Sequence, residues 1–220
     1  MSTSFTEQLR SANESQWQKI TQHEFTKKLA SGTLPPQNLK RYLLNDHLFL
    51  DSFIILLSTM VSHARTLSDR IPGCQFLGLI TSSENNYFED TFTSLNVTPT
   101  ERSTYKMEKV AQDFINIMKE ASSTGSLSCC LAVLCVCEWS YLEWGTIASK
   151  TSKVKDQPNF QRWIDLHSGE YFESVVGYLR GLLDEEEKAI GEEERAKVED
   201  LFKRTVDLEV DFFDMAMRES

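Results

Sequence analysis

Hydrophobic residues recur along this chain at helical spacing, and no window alternates with period two for long. Phe5, Leu9, Trp17, Ile20, Phe25 and Leu29 form one apolar stripe with polar residues opposite, which predicts an amphipathic first segment. The second segment, LKRYLLNDHLFLDSFIILLSTMVSHA, is apolar nearly all round and is expected to be central. A third covers roughly Gly73 to Leu95. Thr98, Pro99 and Glu101 match the N-cap, N1 and N3 positions of a fourth. The fifth holds LAVLCVCEWSYLEWG, residues 131–145. A sixth runs from about Asn159 to Leu183, and LFKRTVDLEVDFFDMAM closes the chain. The acidic stretch DEEEKAIGEEERAKVED is a solvated face that straddles the start of the last helix. SGTLPP, IPG, NVTPT, SSTGS and KDQPN punctuate these segments. With no internal repeat and no visible linker, the pattern predicts an all-α fold, a single-domain helical bundle spanning residues 1–220 with about seven or more helices.

Composition narrows the function classes. The net charge of −10, from 33 acidic against 23 basic residues, repels phosphate backbones, so no nucleic-acid partner is expected. The N-terminus MSTSFTEQLRSANESQ lacks a basic segment followed by an apolar one, so no secretory signal is expected and the Asn96 sequon has no secretory context. Leu127 to Trp144 is the longest apolar candidate for a membrane span. Glu138 and Glu143 interrupt it without a basic flank, which favours a buried helix and no membrane partner. Cys74, Cys129, Cys130, Cys135 and Cys137 are odd in number and mostly share one apolar element. That argues for reduced thiols and a cytoplasmic protein. There is no CxxC, and the four histidines are scattered, so neither a zinc site nor any cofactor is expected.

Four carboxylates interrupt apolar faces, and each has aromatic neighbours about one turn away. Asp46 precedes Phe49 and Phe53, Glu84 precedes Phe88, Glu138 precedes Tyr141, and Glu209 precedes Phe212 and Phe213. Each alone can be a structural acid, and Cys137 alone can be a small core hydrophobe. Recurrence on four segments points instead to a pocket of carboxylates and π-faces, suited to a flat, hydrogen-bonding heterocycle. A di-iron centre needs Glu-x-x-His pairs, and none of His23, His47, His63 or His167 has a glutamate three residues earlier.

The blocks LPPQNLKRYLLNDHLFLDSF, LCVCEWSYLEW, FQRWIDLHSGEYF and DLEVDFFDMAM, in this order and spacing, resemble the TenA (thiaminase II) family over nearly the whole chain. The resemblance implies a haem-oxygenase-like fold without haem. It implies Asp46 on the amine of a pyrimidine, Phe49 as a stacking ring, Trp163 as a recurrent tryptophan and Glu209 as a catalytic acid. Cys137 stands at the nucleophile position of the family's cysteine branch, four residues before Tyr141, with Val136 where a proline is usual. Glu138, three residues before Tyr141, is the mark of the glutamate branch, which this chain resembles more. Phe114 and His167 fall at or near frequent tyrosines, so two pocket hydroxyls are missing.

The implied activity is hydrolysis of thiamine-breakdown pyrimidines to 4-amino-5-hydroxymethyl-2-methylpyrimidine: the cysteine branch releases ammonia from the aminomethyl compound, and the glutamate branch removes the formyl group of its N-formyl derivative, sometimes followed by that deamination. The expected set is Glu209, Glu138 and Cys137 for catalysis, with Asp46, Phe49, Glu84, Phe88, Phe114, Tyr141 and His167 binding substrate. No cationic residue adjacent in sequence lowers the Cys137 pKa, which favours a carboxylate route. Rival readings are a cysteine-dependent thiaminase II that cleaves thiamine, a pyrimidine-binding protein without turnover, and a scaffold whose acids only cap helices. The family's homodimers and homotetramers imply a homo-oligomer.

Overall fold

The computed structural model describes residues 3–218. Its elements are α1 (Phe5–Ala12), α2 (Glu14–Thr21), α3 (Glu24–Ser31), α4 (Pro36–His63) and α5 (Leu67–Leu79). A π turn (Ile80–Glu84) joins α5 to α6 (Asn85–Ser94). After it come α7 (Pro99–Thr104), α8 (Lys109–Ser123), α9 (Leu127–Thr151), α10 (Pro158–Leu166), α11 (Gly169–Glu186) and α12 (Glu192–Met217). Among the described residues there is no strand.

Local chemistry sets many of the boundaries. Ser4, Thr98 and Ser126 each accept a backbone N–H in the first turn of α1, α7 and α9, satisfying donors that helix geometry leaves orphaned. Thr66 and Asp69 close a reciprocal capping box on α5. Gly32 ends α3 with φ of 74°, a left-handed conformation that a side chain would strain.

Several sequence expectations need correction. The first apolar stripe breaks into three helices at Asn13 and Gln22–His23, although all six of its apolar residues remain buried. The third segment starts earlier than expected, because Pro72 lies inside α5 rather than ending a segment. The fourth divides at 105–108 and the sixth at His167–Ser168.

The central helix is α9, not α4. Eighteen of the 25 residues of α9 are buried, and it packs against α2, α3, α4, α8, α10, α11 and α12. Helix α4 leaves Ile55 53% exposed and keeps one edge toward solvent. Both helices are long and apolar enough to cross a membrane, but 78% of the apolar window of α9 is buried inside the bundle, against 39% for α4.

Glu143 has a structural explanation. Its carboxylate accepts from Trp17 Nε1 at 2.9 Å and from Arg10 Nε at 3.0 Å, tying α1 and α2 to α9. Two residues on, Gly145 lets the α10–α11 corner reach α9: a Cβ there would overlap the carbonyl of His167. Gly145→Ala is therefore expected to cost about 1–3 kcal/mol by forcing the corner outward. Chemical denaturation reads this directly, and an unchanged midpoint would refute the close-approach account.

Candidate active site

Six elements of the fold converge on one pocket, which together with the solvent at its mouth holds about 490 Å³ of space not filled by atoms. Helix α4 supplies Asp46, Phe49, Leu50 and Phe53, spaced i, i+3, i+4 and i+7 on one face. Helix α9 supplies Cys137, Glu138 and Tyr141, and α12 supplies Glu209. Trp163 on α10 and His167 at its end come one turn apart. Phe76, Ile80 and Glu84 complete the lining from α5 and the π turn.

The π turn explains how Glu84 reaches the pocket. Four residues of α-helix carry a side chain about 40° past a full turn, so an i, i+4, i+8 stripe drifts off its face. The wider π turn rotates less per residue and brings Glu84 back into line with Phe76 and Ile80. Side chains reinforce the carbonyls just upstream: Thr81 Oγ1 donates to Leu77 O at 2.8 Å and Ser82 Oγ to Gly78 O at 2.5 Å.

The pocket collects negative charge without neutralising it. No lysine or arginine is among its lining residues. Burial, reinforced by Glu84 and Glu209, holds Asp46 well above the ordinary carboxylate range. Glu138 is raised well above it by burial and then by Glu84, Glu209 and Asp46. Burial lifts Glu84 to about 7 and Glu209 to about 8, the latter moderated by a hydrogen bond from the Cys137 thiol. Burial and the neighbouring glutamates also push the Cys137 thiol well up, so the sulfur rests protonated and donates to Glu209.

Neutral polar groups frame these acids. Tyr141 and Tyr42 share a hydroxyl–hydroxyl hydrogen bond of 2.7 Å. His167 Nδ1 donates to Trp163 O at 2.8 Å. Burial lowers the imidazole to about 4, so it is neutral with Nε2 as an acceptor. The buried indole N–H of Trp163 has no protein partner among the described residues. The described residues include no group of three or more His, Cys, Asp and Glu side chains arranged to hold a metal ion.

Eight of the ten expected site residues meet in this pocket: Asp46, Phe49, Glu84, Cys137, Glu138, Tyr141, His167 and Glu209. Phe88 and Phe114 do not line it. Phe88 turns into the core against Trp163, with ring centroids 5.7 Å apart, and against His47. Phe114 stacks behind Phe49 at 5.1 Å and meets Phe212 edge-on, bracing the ring that does line the pocket. Sequence reasoning marked Trp163 as a recurrent position but not as a pocket wall. It named Phe53 only as an aromatic neighbour of Asp46, and it missed Tyr42, Leu50, Phe76 and Ile80. The i+4 offset from Asp46 identifies Leu50, whereas nothing local marks Phe76, Ile80 or Tyr42.

The model of the TENA/THI-4/PQQC family matches residues 10–219. Among curated relatives, an aminopyrimidine aminohydrolase of Bacillus subtilis is 27% identical over 214 residues, covering 97% of this chain and 90% of that protein. An aminopyrimidine aminohydrolase of Halalkalibacterium halodurans is 25% identical over 203 residues, covering 92% and 91%. Among solved structures, a TenA homologue from Pyrococcus furiosus superposes with a TM-score of 0.85 at 23% identity, covering 96% of this chain and 99% of that one. A TenA family transcription regulator from a Silicibacter species also gives 0.85, at 22% identity and 97% and 96% coverage. With a family model matched over almost its full length, the chain belongs to the TENA/THI-4/PQQC family.

Proposed function

We propose that this protein is a C–N hydrolase that converts an aminomethyl pyrimidine from thiamine breakdown into the hydroxymethyl pyrimidine, releasing ammonia, in a cytoplasmic salvage role and as a homodimer or homotetramer. The observation that carries the reading is the convergence of Asp46, Glu138, Cys137 and Glu209 with aromatic walls around one pocket free of cationic side chains. The activity named for the curated relatives from Bacillus subtilis and Halalkalibacterium halodurans supports it.

Asp46 accepts from the ring amine in a charge-assisted pair, while Phe49 and Tyr141 offer π-faces to the ring. Glu209 keeps the leaving nitrogen protonated, so the exocyclic C–N bond breaks with its electron pair on nitrogen and neutral ammonia departs. The 4-amino group, conjugated through the ring, donates electron density to the methylene cation left behind. Water then adds to it, and Glu138, ionised in the field of the cationic substrate, takes the water's proton. The balance is ammonium substrate, water and carboxylate giving alcohol, ammonia and carboxylic acid.

A second reading rests on the hydrogen bond from Cys137 to Glu209. It gives the thiol proton a path to a carboxylate, as nucleophilic addition of sulfur to the ring requires. The carboxylate route needs no thiolate, which the surrounding acids oppose, and is preferred on that ground.

Purified protein assayed for ammonia release from the aminomethyl pyrimidine separates the two routes. On the carboxylate route Glu138→Gln loses at least 100-fold in kcat, by the usual scale of acid–base catalysis, while Cys137→Ser stays within about threefold. The reverse pattern would establish the thiol route, and no turnover of this pyrimidine by the wild type would refute the reading. Asp46→Asn is expected to raise KM by about tenfold or more through loss of the charge-assisted pair.

The acids also carry a cost in stability. The folded, ligand-free protein keeps protons on Glu84 and Glu209 up to about 7 and 8, whereas an unfolded chain releases them near the ordinary 4.5. The folded state therefore binds more protons across that window, and stability falls as pH rises through it. Glu209→Gln is expected to raise the ligand-free melting temperature at pH about 8, with the advantage shrinking toward pH about 5. Thermal melts across that range check this. A difference independent of pH would contradict it.

A further inference from the structure

We propose that Glu84 is the residue that selects a positively charged pyrimidine, the aminomethyl compound as its ammonium, over a neutral N-acyl derivative such as the N-formyl compound. This rests on the hydrolase reading above, names the charge class of its substrate, and departs from the N-formyl activity that the resemblance to the glutamate branch implies.

Three carboxylates suffice for the chemistry: Asp46 on the ring amine, Glu209 on the leaving nitrogen and Glu138 on water. Glu84 is left over, yet the fold brings it in by a π turn that the sequence supports with two back-bonding hydroxyls. It lines the same pocket as Asp46 and Glu138, and after burial its charge is the leading cause that raises both of them. It has no ion-pair or hydrogen-bond partner of its own among the described residues, and it remains partly exposed to the pocket.

The groups that face it across the pocket are Asp46 from α4, Cys137, Glu138 and Tyr141 from α9, His167 from the α10–α11 corner and Glu209 from α12. None of them carries a positive charge. His47, next to Asp46 on α4, is turned instead onto Phe88 and Phe92. A fourth acid in this pocket stays protonated beside a neutral amide and contributes no charge to binding it. An ammonium instead favours the ionised form of Glu84 and gains a charge-assisted contact from it. Glu84 therefore acts on binding rather than on bond cleavage.

The test compares the aminomethyl pyrimidine with its N-formyl derivative on wild type, Glu84→Gln and Glu84→Asp, by steady-state kinetics and by calorimetric binding. Glu84→Gln is expected to lower the amine-over-formyl ratio of kcat/KM about tenfold, through a higher KM for the amine with kcat within about threefold. Glu84→Asp, which keeps the charge, should restore most of the preference. Equal losses for both compounds, or a kcat effect without a KM effect, would overturn the inference and leave Glu84 a structural or chemical group. Wild type that turns over neither compound refutes the hydrolase reading. The calorimetric preference for the amine, and its loss in Glu84→Gln, then still decides the role of Glu84, and binding of neither compound overturns both.

Discussion

The structure depends on one electrostatic constraint: four carboxylates share a buried pocket with no cationic side chain in its lining. Ionising all four together in a low-dielectric enclosure is prohibitive, so the ligand-free site keeps protons where isolated acids would not. That arrangement is unfavourable for folding and useful for chemistry. It holds protons ready near the leaving nitrogen, and it makes a positively charged heterocycle the natural occupant.

The fold supplies the rigidity such a site needs. The acids sit on α4, the π turn, α9 and α12, elements whose other faces are locked into one hydrophobic core. Aromatic rings serve as both wall and brace: Phe49 lines the pocket while Phe114 and Phe212 hold it from behind. Trp163 is wedged between Tyr87, stacked at 4.8 Å, and His167, edge-on at 4.3 Å. Gly145 allows the corner carrying His167 to approach α9, so a backbone detail remote from the carboxylates sets the position of an imidazole inside the site.

The two glutamates of the apolar helix illustrate how differently one residue type is used. Glu143 is paired with Arg10 and Trp17 and joins helices, so its charge is compensated and its role is architectural. Glu138, five residues earlier on the same helix, faces the pocket with other acids as its charged neighbours. At about 100° per residue the two carboxylates point to different faces of α9, and the partners on each face decide their use. The same holds for Cys137, whose neutral resting state follows from groups on α9 and α12 that only the folded chain brings together.

By itself the sequence determined the helical class, the apolar faces and the acids that interrupt them, because a period of about 3.6 residues and a carboxylate among hydrophobes are local signals. It also brought Asp46, Phe49, Glu138, Tyr141 and Glu209 into view, since their aromatic neighbours lie one turn away on the same helix. Tertiary structure alone decided that α9 rather than α4 is central, that Phe88 and Phe114 stand behind the pocket, and that Trp163, Phe76 and Ile80 line it. It also decided where helices break, at 105–108, at His167–Ser168 and in the π turn. These outcomes rest on how helices pack and on a change of helical pitch over five residues, neither of which leaves a period in the chain.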